Sequence, residues 1–221
     1  MVAGGTGRRF GGPKQFLPLA GMPVVAWSVR AARSVADGVV LVVPSGTAAG
    51  VGAGLPAPGA TGVAAFGATC AVAGGATRAD SVRAGLAAVP ADAVIIVVHD
   101  AARPLAADGL FAAVVDAVRS GGVDGAVPAV AVADTLKRVT GTRVVGTVDR
   151  AELVAIQTPQ AFVADALRAA HADGGEATDD AALLEASGRT VVTVPGDPRN
   201  LKLTRPEDLS VAEALLSGAA R

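Results

Sequence analysis

The chain has 221 residues, of which 51% are hydrophobic and 3% aromatic, and its formal net charge at pH 7 is −1. This length fits one large domain, and the near-neutral charge excludes the basic surface expected of a nucleic-acid-binding protein. A single cysteine, Cys70, excludes an intrachain disulfide and a cysteine–histidine zinc cluster, and it favours a reducing, cytoplasmic location.

The first predicted element is a glycine-rich loop over residues 3–16, with the sequence AGGTGRRFGGPKQF. Its glycines let the backbone approach a ligand closely and turn N–H groups towards an anion. Arg9 and Lys14 add cationic side chains, and together these features suit a triphosphate. The spacing matches neither a Walker A loop nor a dinucleotide-binding fingerprint, and a flexible terminus with solvated charges is the structural alternative.

A strand normally precedes a glycine-rich phosphate loop, but here only Met1 and Val2 do so. Either the fold tolerates the loss of this strand, or the chain starts upstream of Met1. We therefore expect the first strand of the sheet to be absent.

Along the rest of the chain, strand-like and helix-like segments alternate. Short valine- and isoleucine-rich runs predict buried strands at residues 39–43, 94–98, 125–132 and 191–194. Alanine-rich stretches predict helices at residues 23–36, 80–89, 106–120, 161–173, 179–187 and 206–217. This alternation predicts an α/β fold with a mostly parallel sheet and helices on both faces. No apolar run reaches the roughly 18 residues of a membrane-spanning helix, so no membrane partner is predicted.

Two loops between these elements are rich in small residues. Residues 44–62 are dominated by glycine, alanine and proline and predict a surface loop. Residues 74–82, GGATRADSV, place Gly74, Gly75 and Ser81 where backbone and hydroxyl groups could contact a base. A tight turn followed by a helix N-cap at Asp80 or Ser81 is the structural alternative.

The strand at 94–98 leads directly into His99 and Asp100, with Arg103 close behind. Open α/β sheets bind ligands at the carboxyl ends of their parallel strands, so Asp100 is a candidate for holding Mg²⁺ or ribose hydroxyls. A helix cap or a partner for Arg103 is the alternative for Asp100. We interpret His99 as structural rather than as a general base.

Residues 134–157 predict a hairpin, with a Thr-Gly-Thr turn, that projects from the sheet as an arm. Such arms often contact a second subunit, and Arg150 stands at the end of this one. Lys202 lies in a short extended segment before the last predicted helix.

Eight segments, in this order, resemble the 2-C-methyl-D-erythritol 4-phosphate cytidylyltransferase family of the non-mevalonate isoprenoid pathway. They span residues 3–209 and read AGGTGRRFGGPKQFLPLAG, GGATRADSV, VHDAARP, DTLKRV, TVDR, TPQAF, TDDAALLE and NLKLTRPEDL. The resemblance implies a single Rossmann-like domain of the nucleotide-diphospho-sugar transferase type over residues 1–221, with residues 134–157 as a dimerisation arm. It implies a homodimer that transfers CMP from CTP to the polyol phosphate with Mg²⁺, releasing pyrophosphate.

The resemblance also implies roles for individual residues. Arg9 and Lys14 match the pair that stabilises charge on the triphosphate, and Arg150, from the partner's arm, and Lys202 match the pair that positions the polyol phosphate. The implied nucleotide-binding residues are Ala3, Gly4, Gly5, Gly7, Gly74, Gly75, Ser81 and Asp100, the last also as metal ligand. The implied acceptor-binding residues are Arg103, Thr135, Thr158 and Thr178.

Three alternative functions stay open at this point. Ribitol 5-phosphate cytidylyltransferases share the glycine loop, the HDAARP segment and the late lysine. A cofactor-modifying guanylyltransferase has a similar loop but lacks the TVDR arm. The third alternative is a non-catalytic nucleotide-binding module. One departure from the resembled family is Ala76, where that family often has an acidic residue.

Overall fold

The computed structural model describes residues 1–5, 10, 12–45 and 66–218. Gly7, Arg9 and nearly all of the predicted loop at 44–62 lie outside these residues. Within the described part, helices pack around a mostly parallel sheet, which confirms the predicted fold class.

The described chain alternates between helices and strands as expected. The α-helices are α1 (Val24–Ala32), α2 (Arg78–Ala88), α3 (Asp108–Arg119), α4 (Ala164–Ala172), α5 (Asp180–Ala186) and α6 (Glu207–Gly218). The strands are β1 (Pro18–Leu19), β2 (Met22–Pro23), β3 (Val40–Val43), β4 (Cys70–Ala73), β5 (Ile95–Val98), β6 (Gly125–Ala131), β7 (Leu136–Thr140), β8 (Arg143–Val148), β9 (Val154–Ile156), β10 (Gln160–Val163) and β11 (Val191–Pro195). A single 3₁₀ turn, Lys14–Phe16, follows the glycine-rich loop.

The central sheet is built from two blocks of strands. In one block β3 and β4 are parallel. In the other the order is β11, β6, β10, β5, with β9 also on the edge of β6. The pair β6 and β11 is parallel, whereas β10 is antiparallel to both of its neighbours and β9 is antiparallel to β6.

Residues 1–3 occupy the sheet position between the two blocks. Val2 forms parallel bridges with Val42 of β3 and with Asp100, just after β5. Its N–H donates to the His99 carbonyl at 2.7 Å, and the Ala3 N–H donates to the Val42 carbonyl at 2.7 Å. The expectation that the first strand is absent was therefore wrong in part, because residues 1–3 pair as a short strand with β3 on one side and with the end of β5 on the other.

Strand β5 shows why helices cover both faces of the sheet. Its residues are all apolar, and successive side chains point to opposite faces. Ile96 and Val98 pack with residues of α2, α4 and α5, whereas Ile95 and Val97 pack with the buried face of α3. The predicted helices on both faces follow from this doubly buried strand.

Several predicted helix boundaries were wrong; the first predicted helix extended to residue 36, for example, whereas α1 ends at Ala32. Residues 161–163, assigned by the sequence to a helix, belong to β10, whose edges pair with β5 and β6. A short apolar run does not distinguish a strand from a buried helix turn, and pairing on both edges decides in favour of the strand. Helix α2 begins at Arg78 rather than Asp80, because Thr77 is its N-cap: the Thr77 hydroxyl accepts from the Asp80 N–H, and the Asp80 carboxylate accepts from the Thr77 N–H.

The predicted arm is present as the hairpin β7–β8, which turns at Gly141. Several nonpolar side chains of the hairpin face solvent, among them Val139, Val144 and Val145, each at least 50% exposed. The chain then returns to the main sheet through β9. None of the helices in the described ranges is both long and apolar enough to cross a bilayer.

Candidate active site

Three predicted ligand-binding segments meet at the carboxyl edge of the sheet. Residues 3–5 follow the short strand at Val2, Gly74 follows β4, and Asp100 follows β5. These strands are parallel, so their carboxyl ends lie side by side at the edge where open α/β sheets bind ligands. The polar and glycine residues singled out in the sequence are thus brought to one place by the topology.

The glycines of the 74–81 segment allow close backbone approach. A Cβ atom added to Gly74 would lie 2.8 Å from the Ser81 Oγ, and one added to Gly75 would lie 2.2 Å from the Asp80 Cβ. A Cβ on Gly4 would lie 3.2 Å from the same Ser81 oxygen. The structure therefore brings together four residues predicted to contact the nucleotide: Gly4, Gly74, Gly75 and Ser81.

Ser81 also organises this segment internally. Its Oγ accepts from the Gly75 N–H at 3.2 Å and donates to the Thr77 carbonyl at 3.0 Å. Because Thr77 is the N-cap of α2, these bonds fix the Gly74–Gly75 backbone to the start of the helix. The predicted N-cap at Asp80 or Ser81 was thus wrong, because Thr77 is the cap, and the base contact of this segment stays a prediction.

Gln15 holds the start of the glycine-rich loop and was missed in the sequence. Its amide Nε2 donates to the carbonyls of Ala3, at 2.7 Å, and Gly5, at 3.2 Å, and the residue is buried. A glutamine between a lysine and a phenylalanine carries no pattern that separates this role from a surface one. Its two bonds fix the backbone at Ala3 and Gly5, where the loop begins.

Lys14 and Lys202 belong to adjacent parts of the site. The Lys14 Nζ donates to the carbonyl of Leu203, and it also lies 5.8 Å from the centre of the Phe10 ring. Leu203 is itself anchored to the sheet edge, because its N–H donates to the Ala102 carbonyl at 2.8 Å. The structure thus brings two predicted catalytic lysines, far apart in sequence, to the carboxyl end of β5.

Asp100 is the acidic centre of this edge and is only 8% exposed. Its Oδ2 lies 2.5 Å from the Lys202 Nζ, and its Oδ1 lies 3.5 Å from the Arg78 Nε. Burial raises the pKa of this carboxyl, but the positive charges of Lys202 and Arg78 outweigh burial and lower the pKa to about 2. Asp100 is therefore an anion at all physiological pH values.

The paired Asp100 leads to a prediction about acid stability. A carboxyl whose pKa falls from 3.8 to about 2 on folding stabilises the protein above pH 4, and this contribution disappears as the pH drops towards 2. On acidification, we therefore expect the free energy of unfolding to fall by on the order of 2 kcal/mol less in Asp100→Asn than in the unchanged protein. Urea unfolding of both proteins at about pH 5 and about pH 2.5 measures this. An equal loss in both proteins would contradict the assignment.

Arg78 and Asp180 extend the charge cluster inwards, and sequence reasoning missed both. The Arg78 Nη2 lies 2.8 Å from the Asp180 Oδ2, and the Asp180 Oδ1 lies 3.0 Å from the Nε2 of His171. The side chains of Asp180 and His171 are 1% and 2% exposed. Arg78 lies in the GGATRADSV segment that the sequence analysis identified. Nothing in the local pattern indicated that its partners would be Asp100 and Asp180, which is 102 positions later.

His99 has a structural role, in line with its sequence interpretation. Its Nε2 donates to the Arg103 carbonyl at 3.2 Å, so the neutral ring accepts at Nδ1 from the Thr158 hydroxyl at 3.1 Å. Burial lowers the pKa of His99 to about 3 despite the nearby charge of Asp100. Thr158 in turn accepts from the Asp100 N–H at 3.1 Å, so both residues support the Asp100 backbone.

Arg103 supports the Lys202 segment. Its Nη1 donates to the Asn200 carbonyl at 2.7 Å, and burial lowers the pKa of its guanidinium. The Asn200 side chain donates to the Thr158 carbonyl at 2.9 Å. The acceptor-binding roles of Arg103 and Thr158 stay predictions, since the bonds described here fix the loop rather than a ligand.

The remaining predicted acceptor residues lie on the surface. Thr135 and Thr178 are exposed. Arg150 is exposed at the base of the arm, where its Nη1 donates to the Ala133 carbonyl of the same chain. Within the described part of a single chain, no hydrogen bond or ion pair given above joins these three side chains to Asp100, Lys202 or Arg78.

The donor set at this edge suits a cation that a substrate helps to hold. No group of three or more histidine, cysteine, aspartate or glutamate side chains that could bind a metal occurs in the described ranges. Asp100 supplies one ionised carboxylate, and Mg²⁺ typically takes one or two carboxylates with phosphate oxygens and water as its other ligands. The residues present therefore fit a metal that arrives with a triphosphate.

Comparisons with known proteins agree with this geometry. Residues 1–218 match the family model described as 2-C-methyl-D-erythritol 4-phosphate cytidylyltransferase, IspD. The protein of that name from Nocardia farcinica is 46% identical over 225 residues, covering 100% of this chain and 94% of the relative. Another from Carboxydothermus hydrogenoformans is 41% identical, covering 98% and 94%. The crystal structure of the protein of that name from Thermus thermophilus superposes with a TM-score of 0.78 at 37% identity, covering 93% of this chain and 94% of that one.

Proposed function

The chain belongs to the 2-C-methyl-D-erythritol 4-phosphate cytidylyltransferase family, and from this membership we propose which of its residues carry out the reaction. The reaction transfers CMP from CTP to 2-C-methyl-D-erythritol 4-phosphate in isoprenoid precursor biosynthesis. A bond forms between an acceptor phosphate oxygen and the α-phosphorus of CTP, the bond from that phosphorus to the β-phosphate oxygen breaks, and pyrophosphate leaves. The products are 4-diphosphocytidyl-2-C-methyl-D-erythritol and pyrophosphate.

The observation that carries the proposal is the charge cluster at the carboxyl end of β5. Lys202 contacts the buried Asp100 at 2.5 Å, and Lys14 is bonded to the residue that follows Lys202. Cations held at fixed positions stabilise the negative charge that develops on a phosphate in the transition state. This arrangement suits a reaction between two phosphorylated substrates.

No general base is required in this mechanism, because the attacking phosphate oxygen is already anionic. His99 is buried and neutral, with both ring nitrogens bonded, which is consistent with a reaction that does not use it. The chain's own residues then contribute positioning and electrostatic stabilisation. We assign the stabilisation of the triphosphate to Lys14 together with Arg9.

The nucleotide half of the site is assigned to backbone and small side chains. The proposed contacts come from residues 3–5 and Gly7 at the triphosphate, and from Gly74, Gly75 and Ser81 at the cytosine. Support comes from the close packing of Gly4 and Gly74 around Ser81. Asp100 is proposed to bind a ribose hydroxyl or the metal.

The acceptor half is assigned to Lys202 and, from the partner subunit, Arg150. Thr135, Thr158, Thr178 and Arg103 are proposed as its polar surroundings. We propose a homodimer joined through the arm, because the nonpolar surface of the hairpin, at Val139, Val144 and Val145, is exposed in a single chain. Residues 1–221 would then act as one nucleotidyltransferase domain with residues 134–157 as its dimerisation arm.

The proposed metal is Mg²⁺, held by Asp100 and phosphate oxygens of CTP. When bound, it would neutralise charge on the triphosphate and orient its phosphates. In the structure the Asp100 Oδ2 contacts the Lys202 Nζ at 2.5 Å, and Oδ1 has the longer contact of 3.5 Å with Arg78, so Oδ1 is the oxygen that would hold the metal. A cytoplasmic location stays a prediction from the single cysteine.

Pyrophosphate release tests this function directly. CTP and Mg²⁺ are incubated with the chain and either 2-C-methyl-D-erythritol 4-phosphate or ribitol 5-phosphate. We expect pyrophosphate release with 2-C-methyl-D-erythritol 4-phosphate only. The release should be lost in Asp100→Asn. It should persist in the control Asp124→Asn, whose carboxylate pairs with Arg189 at the start of β6, at the edge of the sheet opposite to the site. Release with ribitol 5-phosphate only, or with neither acceptor, would contradict the function.

A further inference from the structure

Arg78 is shared unequally between two carboxylates. Its Nη2 lies 2.8 Å from Asp180, whereas its Nε lies 3.5 Å from Asp100. The shorter contact is a full charge-assisted hydrogen bond, and the longer one is at the limit of a hydrogen bond. The guanidinium is thus held mainly by Asp180, away from the carboxylate at the site edge.

Asp180 is rigidly fixed, because both of its oxygens are bonded and its side chain is only 1% exposed. One oxygen accepts from Arg78, and the other accepts from the Nε2–H of the buried His171. A charge buried to this degree is retained only where partners compensate for its lost hydration. The Asp180–His171 pair therefore acts as a fixed anchor for Arg78.

Asp100 differs from Asp180 in what surrounds it. Its side chain is 11% exposed, and its close contact is with Lys202, which is itself 43% exposed. A partner of this kind can move into solvent when a ligand arrives, whereas Arg78, only 26% exposed and held at Asp180, would block the carboxylate if it paired with both oxygens of Asp100. The distance between Arg78 and Asp100 therefore decides whether Asp100 is accessible.

We propose that Asp180, fixed by His171, is a positioning residue that holds Arg78 back from Asp100 and so keeps the Asp100 carboxylate accessible to the nucleotide. The inference rests on the proposed role of Asp100 in binding CTP or its metal. In Asp180→Asn, the amide oxygen can still accept from His171, which turns the amide N–H groups towards Arg78. Arg78 then loses its anion and closes on Asp100, because a bidentate arginine–carboxylate pair is the strongest alternative.

Isothermal titration calorimetry, in which CTP is added to the protein in the presence of Mg²⁺ and without acceptor, measures the affinity for CTP independently of turnover. We expect Asp180→Asn to weaken CTP binding about tenfold, as residues that orient a binding carboxylate commonly do. The matched control Asp124→Asn removes an ion-paired aspartate remote from the site and should leave the affinity unchanged.

The double variant separates positioning from a general structural role. If Asp180 acts by restraining Arg78, then adding Arg78→Gln to Asp180→Asn restores most of the lost affinity, since no guanidinium remains to close on Asp100. A merely structural role predicts that the two losses add, and that result would overturn the proposal, as would unchanged affinity in Asp180→Asn.

Two further variants keep the test decisive. Should Asp180→Asn fail to fold, His171→Leu is the second variant, because it leaves the Asp180 carboxylate charged but removes the bond that fixes it. We expect His171→Leu to lose less CTP affinity than Asp180→Asn, and we expect Arg78→Gln to restore that loss. Unchanged CTP affinity in His171→Leu would overturn the proposal. If Asp100→Asn leaves CTP binding unchanged, the proposed function of Asp100 fails. If Asp100→Asn weakens binding but Asp180→Asn does not, this inference alone fails.

Discussion

Replacement of Lys14 by methionine is expected to lower kcat for cytidylyl transfer by about 10²–10³-fold. Methionine keeps the length of the side chain but removes the positive charge proposed to stabilise the triphosphate as charge develops on it. The bond to the Leu203 carbonyl is lost too, but a single hydrogen bond contributes only about 1 kcal/mol, so the fold should persist. Pyrophosphate release at saturating CTP and acceptor measures kcat.

The control is Arg119→Met, which removes an exposed cation at the end of α3 that pairs only with Asp116 in the bonds described. It should retain full activity. A Lys14→Met enzyme with normal kcat and a raised KM for CTP would show that Lys14 binds ground state and transition state equally, and would refute its catalytic role.

Arg150→Ala is expected to lower kcat/KM for the acceptor by about 10–100-fold, as the loss of one hydrogen bond to a charged group would. Within the described part of a single chain, the Arg150 side chain donates to the nearby Ala133 carbonyl, at the base of the β7–β8 hairpin. An arginine so placed can serve the site of a second copy. The steady-state rate at low acceptor concentration measures the loss.

Mixing the two impaired variants tests whether Arg150 acts across the proposed dimer. In a heterodimer of Lys14→Met and Arg150→Ala chains, one site combines an intact Lys14 with an intact Arg150 from the partner. Unfolding and refolding the two variants together should therefore raise the rate at low acceptor concentration above that of either variant alone. If Arg150 served its own chain, each site would carry one defect, and the rate would not exceed the average of the two variants.

The features predicted well were those that depend on local patterns. Continuous runs of valine and isoleucine, such as 39–43 and 94–98, indicated doubly buried strands, and parallel strands place the ends of such runs at a common edge. Asp100 was identified as a candidate because it follows one of these runs. Gly74, Gly75 and Ser81 were identified by glycines that permit close approach.

The features missed depend on contacts between distant segments. The alanine-rich sequence after Pro159 has the composition of a helix, yet residues 160–163 pair with β5, and Ala161 and Phe162 also pair with β6. Pairing of this kind overrides local propensity, and a single sequence does not reveal it. The strand is also antiparallel within an otherwise mostly parallel sheet, which the alternation of elements did not indicate.

The supporting residues of the site were missed for the same reason. Gln15 fixes the glycine-rich loop through two carbonyls, and Asp180 reaches Arg78 across 102 positions of sequence. Buried polar residues of this kind look like ordinary surface residues until the fold supplies their partners. The placement of the candidate residues at the sheet edge was therefore predictable, whereas the bonds that orient them were not; their ligand contacts stay predictions.

The narrow connection between the two blocks of the sheet has a consequence for cooperativity. Among the described residues, β3 and β4 are joined to the rest of the sheet by backbone hydrogen bonds only through residues 1–3. Because the seam has so few backbone bonds, we expect it to open at a lower free energy than global unfolding, and we expect amide hydrogen exchange to distinguish the two blocks as separate units. The glycine-rich loop begins where they meet, and a triphosphate bound there would tie both units together and slow exchange across the seam.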